Sequence, residues 1–308
     1  MQTSRPEAPP DYPQKSVRLV VPFAPGGGTD IIARLLAQKV GAAWGQSLVV
    51  DNRGGGGGTI GANIAAKSAP DGYTVLLTSL SIAYTPALYK KLPYDPEKEF
   101  GPVTLVVTQP NLLVVPPSLP VKSVAELIAL AKSRAGEIRY GSGGSGSAPH
   151  LATELFRATA GITLVHVPYK GGGPALTGLM AGEAHLMIAG TALLLPHVRA
   201  GRLRALAATG MTRARAAPEL PTVAEAGLPG YEFDTWYGLL VPARTPGAII
   251  GKINEEFNRA LAAHDVQERL AGAGFESLGG TQKRFAAYLK AEMRKWTTVV
   301  REANIRID

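Results

Sequence analysis

The chain has 308 residues, of which 36 are Gly, 24 are Pro and none is Cys; 45% are apolar, and the formal net charge is +8. That length allows one large domain or two ordinary ones around a buried core, and the missing Cys excludes disulfides, thiolate metal sites, Fe–S clusters and a Cys nucleophile. The positive charge admits an anionic partner, but the basic residues are scattered and aromatic content is only 6%. The densest group, Arg199, Arg202, Arg204, Arg213 and Arg215, has no interleaved aromatics, so no nucleic acid partner is expected.

Residues 1–15, MQTSRPEAPPDYPQK, are polar and Pro-rich with no apolar core of a secretory signal, and are expected to form a disordered lead-in. Val17–Pro22, Ser47–Asn52 and Thr74–Thr78 read as strands buried on both faces. Between the first two, Asp30–Trp44 is an amphipathic helix with Ile31, Leu35 and Val40 in one stripe. Asn111–Val115 is the next strand. Ser123 followed by Glu126 is a capping box that opens a helix carrying Val124, Leu127 and Ile128. Strands are expected at Glu137–Gly141, Leu164–Val167, Ala184–Ile188 and Leu203–Thr209. Thr222 and Glu225 repeat the capping signal before a strand at Trp236–Val241. Pro246 suits the first turn of a helix bearing Ile249, Ile253 and Phe257. The last helix, from about Gln282 to Ala303, spaces Phe285, Leu289, Met293, Trp296 and Val300 at three and four. This alternation predicts an α/β fold with mostly parallel sheets. The longest uncharged apolar stretch, Leu186 to Val198, contains Gly190, Pro196 and His197 and falls short of a membrane span.

Two apolar strands run into Pro, at Asn111–Pro117 and Trp236–Arg244, and each precedes a fresh helix start. Read as crossings, they divide the chain into residues 16–114 with 240–308 as one lobe and 115–239 as the other, with the two crossing strands as a hinge. A single doubly wound domain stays open as the alternative.

Fifteen of the 36 glycines lie in four clusters, Gly26–Gly28, Gly54–Gly58, Gly141–Gly146 and Gly171–Gly173. At least three follow a predicted strand and precede a helix, the junction at which open parallel sheets bind ligands and helix amides attract anions. Gly56–Gly61 and Gly141–Gly146 both fit G-x-G-x-x-G, but neither following strand ends in the carboxylate that a dinucleotide's ribose needs. Gly251-Lys252 is followed by Ile253, so no P-loop exists. No Ser in 141–147 has the G-x-S-x-G spacing of a nucleophile elbow. The five His form no metal-binding pair, and no metal or cofactor is expected. His166 is expected to be a packed or edge histidine, whereas His150, at a helix start, suits ligand contact and a local structural bond equally. Thr29, Ser79, Ser81, Ser142, Ser145, Ser147, Tyr169 and Thr191 all fall at strand ends or helix starts. A site rich in amide and hydroxyl donors and poor in acid–base groups binds a small anion rather than transforming it.

Five motifs in order, PFAPGGGTDIIARLLA, KLPYDPEKEFGPVTLV, GSGGSGSAPHLATELF, HVPYKGGGPAL and the stretch from AGRLRALAATG to WYGLLVPARTP, resemble the solute-receptor (Bug) family of tripartite tricarboxylate transporters. The similarity runs from about Val17 over nearly the whole chain. It implies a two-lobed periplasmic binding protein of type II that closes around a carboxylate, is exported with its signal removed, and delivers its solute to membrane permease subunits. The motif carry-over implies ligand binding by Phe23, Gly26, Gly27, Thr29, Ser79 and Ser81, facing Ser142, Gly143, Ser147, His150, Tyr169, Gly171 and Thr191. Asp30 matches the motif's acid; beside a bound carboxylate it is repulsive, so its expected role is to hold the helix start. Where the family usually has an Asp, this chain has Ala189, which disfavours an amino acid and points to a mono- or dicarboxylate, an aromatic one included. The chain is expected to be a monomer. Two alternatives remain at this point: a hydrolase using His150 with a nearby Ser, and a ligand sensor feeding a membrane partner.

Overall fold

Val17, Leu19, Val20 and Val21 of strand β1 (Val17–Val21) are fully shielded from solvent, as expected of a parallel strand covered on both faces. They belong to a computed structural model that describes residues 12–302 and Ile305. The described chain divides into two units. The first gathers the residues up to Thr108 with Trp236–Leu270 and Glu276–Thr297; the second gathers Gln109–Thr235, Ala271–Phe275 and the described residues from Thr298.

In the first unit β1 pairs in parallel with β2 (Leu48–Asn52) and β3 (Thr74–Ser79), in register Val17↔Leu48 and Arg18↔Thr74. The long strands β4 (Phe100–Val115) and β9 (Asp234–Pro242) extend this sheet, and β9 runs antiparallel to β3 with Leu76 opposite Leu240. The short β10 (Glu276–Ser277) closes it against Val107 and Thr108 of β4. Helices α1 (Gly28–Trp44) and α2 (Thr59–Ala66) connect the parallel strands, and α3 (Ser81–Leu88) leads from β3 to β4. Of the C-terminal helices α8 (Gly247–Ala262), α9 (His264–Gly272) and α10 (Gln282–Glu302), the first sets Phe257 edge-on to Trp44, and the last buries Phe285, Leu289, Met293 and Trp296 as the spacing predicts.

In the second unit β5 (Arg139–Ser142) pairs in parallel with β6 (Val165–Pro168), and Tyr140 bridges to Leu186. β7 (Met187–Gly190) and β8 (Arg204–Ala208) both run antiparallel to the Asn111–Val115 end of β4. Helices α4 (Val124–Ser133), α5 (Ala148–Ala160), α6 (Gly172–Met180) and α7 (Thr191–Arg199) complete it. Leu112, Leu176, Leu179, Met187 and Leu194 form its apolar centre, with Ala189 buried among them.

Four expectations about single segments change. Residues 1–11 lie outside the described residues, but Tyr12–Lys15 are held in place rather than disordered. The Tyr12 ring packs on Trp44 and Tyr73, its hydroxyl donates to the Gly72 carbonyl at 2.7 Å, and Lys15 lies over Tyr73. The strand expected from Asn111 begins at Phe100, because its place between β10 and β9 in the first sheet and its pairing with β7 and β8 override the breaks signalled by Pro102 and Pro110. The strand expected at Ala184–Ile188 starts at Met187, because the preceding residues bond to β5: the His185 amide donates to the Arg139 carbonyl, and His185 Nδ1 accepts the Arg139 amide. The Thr222–Glu225 capping box forms both of its hydrogen bonds, yet closes a single turn, since Gly227 and Pro229 follow at once. At the C-terminal end, Ala271–Phe275 group with the second unit, where the Gly274 carbonyl accepts the Thr191 hydroxyl at 2.9 Å.

Candidate functional site

All four glycine clusters sit between a strand and a helix, at β1–α1, β2–α2, β5–α5 and β6–α6. Glycine acts differently at each. Gly27 caps α1, Gly171 caps α6 and Gly190 caps α7, and none of these caps has a side chain to satisfy the first helical amides. Those N–H groups point out of the helix starts with a partial positive charge. By contrast, α4 and α5 are capped by Ser123 and Ser147, whose hydroxyls accept the amides of Glu126 and His150.

In the first unit the β1–α1 loop is fixed from behind. The Asp30 carboxylate, almost fully buried, accepts the Gly26 amide at 2.9 Å, Arg34 Nε at 3.0 Å and Asn52 Nδ2 at 3.0 Å. Asn52 also donates to the Phe23 carbonyl at 3.2 Å. Burial pushes the Asp30 pKa up, but the bonds from Arg34, Gly26 and Asn52 outweigh it and hold the carboxyl below its ordinary value. Asp30 thus ties the loop, α1 and the end of β2 together. The Ser79 hydroxyl, at the end of β3, donates to Ser81 Oγ at 3.2 Å. A Cβ built on Gly58 would lie 3.3 Å from the Phe23 ring and 3.4 Å from Ser81 Oγ. Phe23, Gly58 and Ser81 therefore converge, and the structure groups Phe23, Gly26, Gly27, Thr29, Ser79 and Ser81 at one edge of this unit's sheet.

In the second unit the β5–α5 loop folds around its own side chains. Ser142 Oγ, fully buried, accepts the Gly144 amide at 3.1 Å and lies 2.6 Å from His166 Nε2. His150 Nδ1 accepts the Gly146 amide at 3.2 Å, and its ring stacks on His166 with centroids 4.3 Å apart. His166 in turn stacks on Tyr140 at 4.8 Å, which makes it the packed residue that its strand position predicts. Gly143 abuts the other glycine loop: a Cβ on it would sit 3.4 Å from the Gly171 carbonyl carbon and the Gly172 amide. Ser142, Gly143, Ser147, His150 and Gly171 thus form one group.

Two residues join this group differently from the hydroxyl donors that the sequence suggests. The Tyr169 hydroxyl donates to Glu183 at 2.8 Å, so burial and that carboxylate raise its pKa, and only the ring and amide remain beside Ser142. The Thr191 hydroxyl is spent on Gly274, leaving the first amides of α7. Asn52 and His166 were not legible as supports of these loops, although Asn52 ends a strand and His166 opens the HVPYKGGG motif. Among the described residues no group of three or more His, Cys, Asp or Glu is placed to hold a metal ion, and no helix is long and apolar enough to cross a membrane.

Residues 32–305 match the family model described as tripartite tricarboxylate transporter family receptor. The chain is 38% identical over 298 residues to Protein BugT of Bordetella pertussis, covering 96% of this chain and 91% of that one. Among solved structures it is similar to Rpa4515 of R. palustris with adipate, at a TM-score of 0.91 and 40% identity, covering 96% of this chain and 99% of that one. It is also similar to MatC of Rhodopseudomonas palustris with bound malate, at a TM-score of 0.88 and 33% identity, covering 94% and 100%.

Proposed function

The chain belongs to the tripartite tricarboxylate transporter receptor family, and from that premise we propose that it is a periplasmic receptor for a small mono- or dicarboxylate, which it delivers to membrane permease subunits. The observation that carries the reading is the set of glycine-capped helix starts at α1, α6 and α7, with amides that no cap side chain occupies. A carboxylate is the small anion whose two oxygens use such donors. Each charge-assisted hydrogen bond contributes roughly 1.5–3 kcal/mol, so four or five offset the cost of desolvating the carboxylate.

The ligand residues in this reading are Phe23, Gly26, Gly27, Thr29, Ser79 and Ser81 of the first unit and Ser142, Gly143, Ser147, His150, Tyr169, Gly171 and Thr191 of the second. Asp30 serves behind them as the strut of the first loop. Ala189 is packed among Leu112, Met187 and Leu194 in the apolar centre of the second unit and so does not bear on the ligand's charge; the preference for an acid rests on the similar structures. Adipate and malate in the two similar structures make aliphatic dicarboxylates the first candidates.

The protein runs no reaction in this reading. His150 Nδ1 is engaged by the Gly146 amide, and the Ser nearest an imidazole, Ser142, has its Oγ fully buried and accepting a loop amide. Titration calorimetry with mono-, di- and tricarboxylates tests the proposal. Saturable binding of one class without turnover supports it, and turnover abolished by His150→Ala overturns it.

A further inference from the structure

The Gly54–Gly58 loop is the glycine cluster to which the family motif assigns no binding residue. Four of its glycines in a row, Gly55–Gly58, have positive φ of 128°, 57°, 64° and 101°, a path that side chains rarely follow. That path lays Gly58 against the Phe23 ring and beside Ser81 Oγ. A side chain also bonds to this turn: the Tyr89 hydroxyl donates to the Gly56 carbonyl at 2.9 Å, beside the Thr59 amide that the same carbonyl accepts. Tyr89 ends α3, its amide bonded to the Thr85 carbonyl, and Ser81 begins the same helix. So α3 meets the glycine turn at both ends, through Ser81 at Gly58 and through Tyr89 at Gly56.

We infer that Tyr89 is a positioning residue for ligand length. By pinning Gly56, it fixes how far Gly58 and the Phe23 ring reach beside Ser81, and so sets the chain length of the acid that fits there. The inference rests on the carboxylate-receptor reading above. The Phe23 ring edge is apolar and would leave a second carboxylate unpaired, so the ring meets the methylene chain of the ligand.

Tyr89→Phe keeps the ring and removes only the hydroxyl that holds Gly56. Calorimetric titration of the full chain and this variant with unbranched mono- and dicarboxylates of four to eight carbons reads the effect. Release of the turn shifts the ratio of Kd values between the longest and shortest acids bound by the wild type by about threefold to tenfold toward the longer one, the scale of one hydrogen bond. An unchanged ratio overturns the inference while the receptor reading stands, and so does equal weakening of all acids, which marks a merely structural role. A wild-type chain that binds none of the series removes this inference, whereas the receptor reading falls only if no mono-, di- or tricarboxylate binds.

Discussion

Asp30 is where one side chain carries the most local structure, because its two oxygens hold the Gly26 amide, Arg34 and Asn52 at once. Asp30→Asn keeps the shape but loses the charge-assisted bonds, and is expected to cost about 1–3 kcal/mol of stability at neutral pH. The carboxyl's folded pKa lies below its ordinary value of 3.8. Its contribution is therefore complete above that value and is lost as pH falls through the lower folded pKa. Urea titrations should show the wild type and Asp30→Asn converging as pH drops below about 4, and a gap constant down to pH 3 would contradict this assignment. Most glycines and hydroxyls of both groups were legible because they lie within short motifs, and Ser79, Ser81 and Thr191 because they fall at strand ends or helix starts. Their supports were not: Asn52 reaches Asp30 across 22 positions, Tyr89 reaches Gly56 across 33, and His166 reaches Ser142 across 24. Such bonds form only once strands are in register.

Two helices allow stability to be separated from binding. Ser123 caps α4 and Ser147 caps α5 by the same bond, so Ser123→Ala and Ser147→Ala should each cost about 1 kcal/mol and lower Tm by about 2 °C. Only Ser147→Ala, at the proposed ligand loop, should also weaken carboxylate binding; equal affinities in the two variants would remove Ser147 from the site. Within α2, Gly61 reverses the usual preference for Ala. A Cβ there would lie 2.6 Å from Pro22 Cα and 2.8 Å from the Arg53 carbonyl oxygen, both main chain. Gly61→Ala should therefore destabilise by about 1–3 kcal/mol in a denaturant melt despite its gain in helix propensity. The parallel strands and long helices were legible from apolar runs and three-four spacing. The first half of β4 was not, since Pro102 and Pro110 mask a strand that its partners impose. The Thr222 box showed the opposite failure, with local chemistry correct but too little chain before Gly227 and Pro229 to make a helix.

For the whole molecule, the surplus of glycine and the net positive charge, which alone exclude little, acquire a common purpose in helix starts that attract a small anion. The family follows from the match over residues 32–305, while the identity of the solute depends on loop positions that no motif encodes. If capture proceeds by closure, small-angle scattering should record a smaller radius of gyration at saturating ligand, and an unchanged radius with full occupancy would remove the closure step. The most direct test of the receptor assignment is a thermal-shift screen against mono-, di- and tricarboxylates. A true ligand at a hundred times its Kd adds about 2.7 kcal/mol to stability. The account predicts a Tm rise of several degrees for one class of small carboxylates and none for amino acids; no shift with any carboxylate, or a shift with amino acids alone, would contradict it.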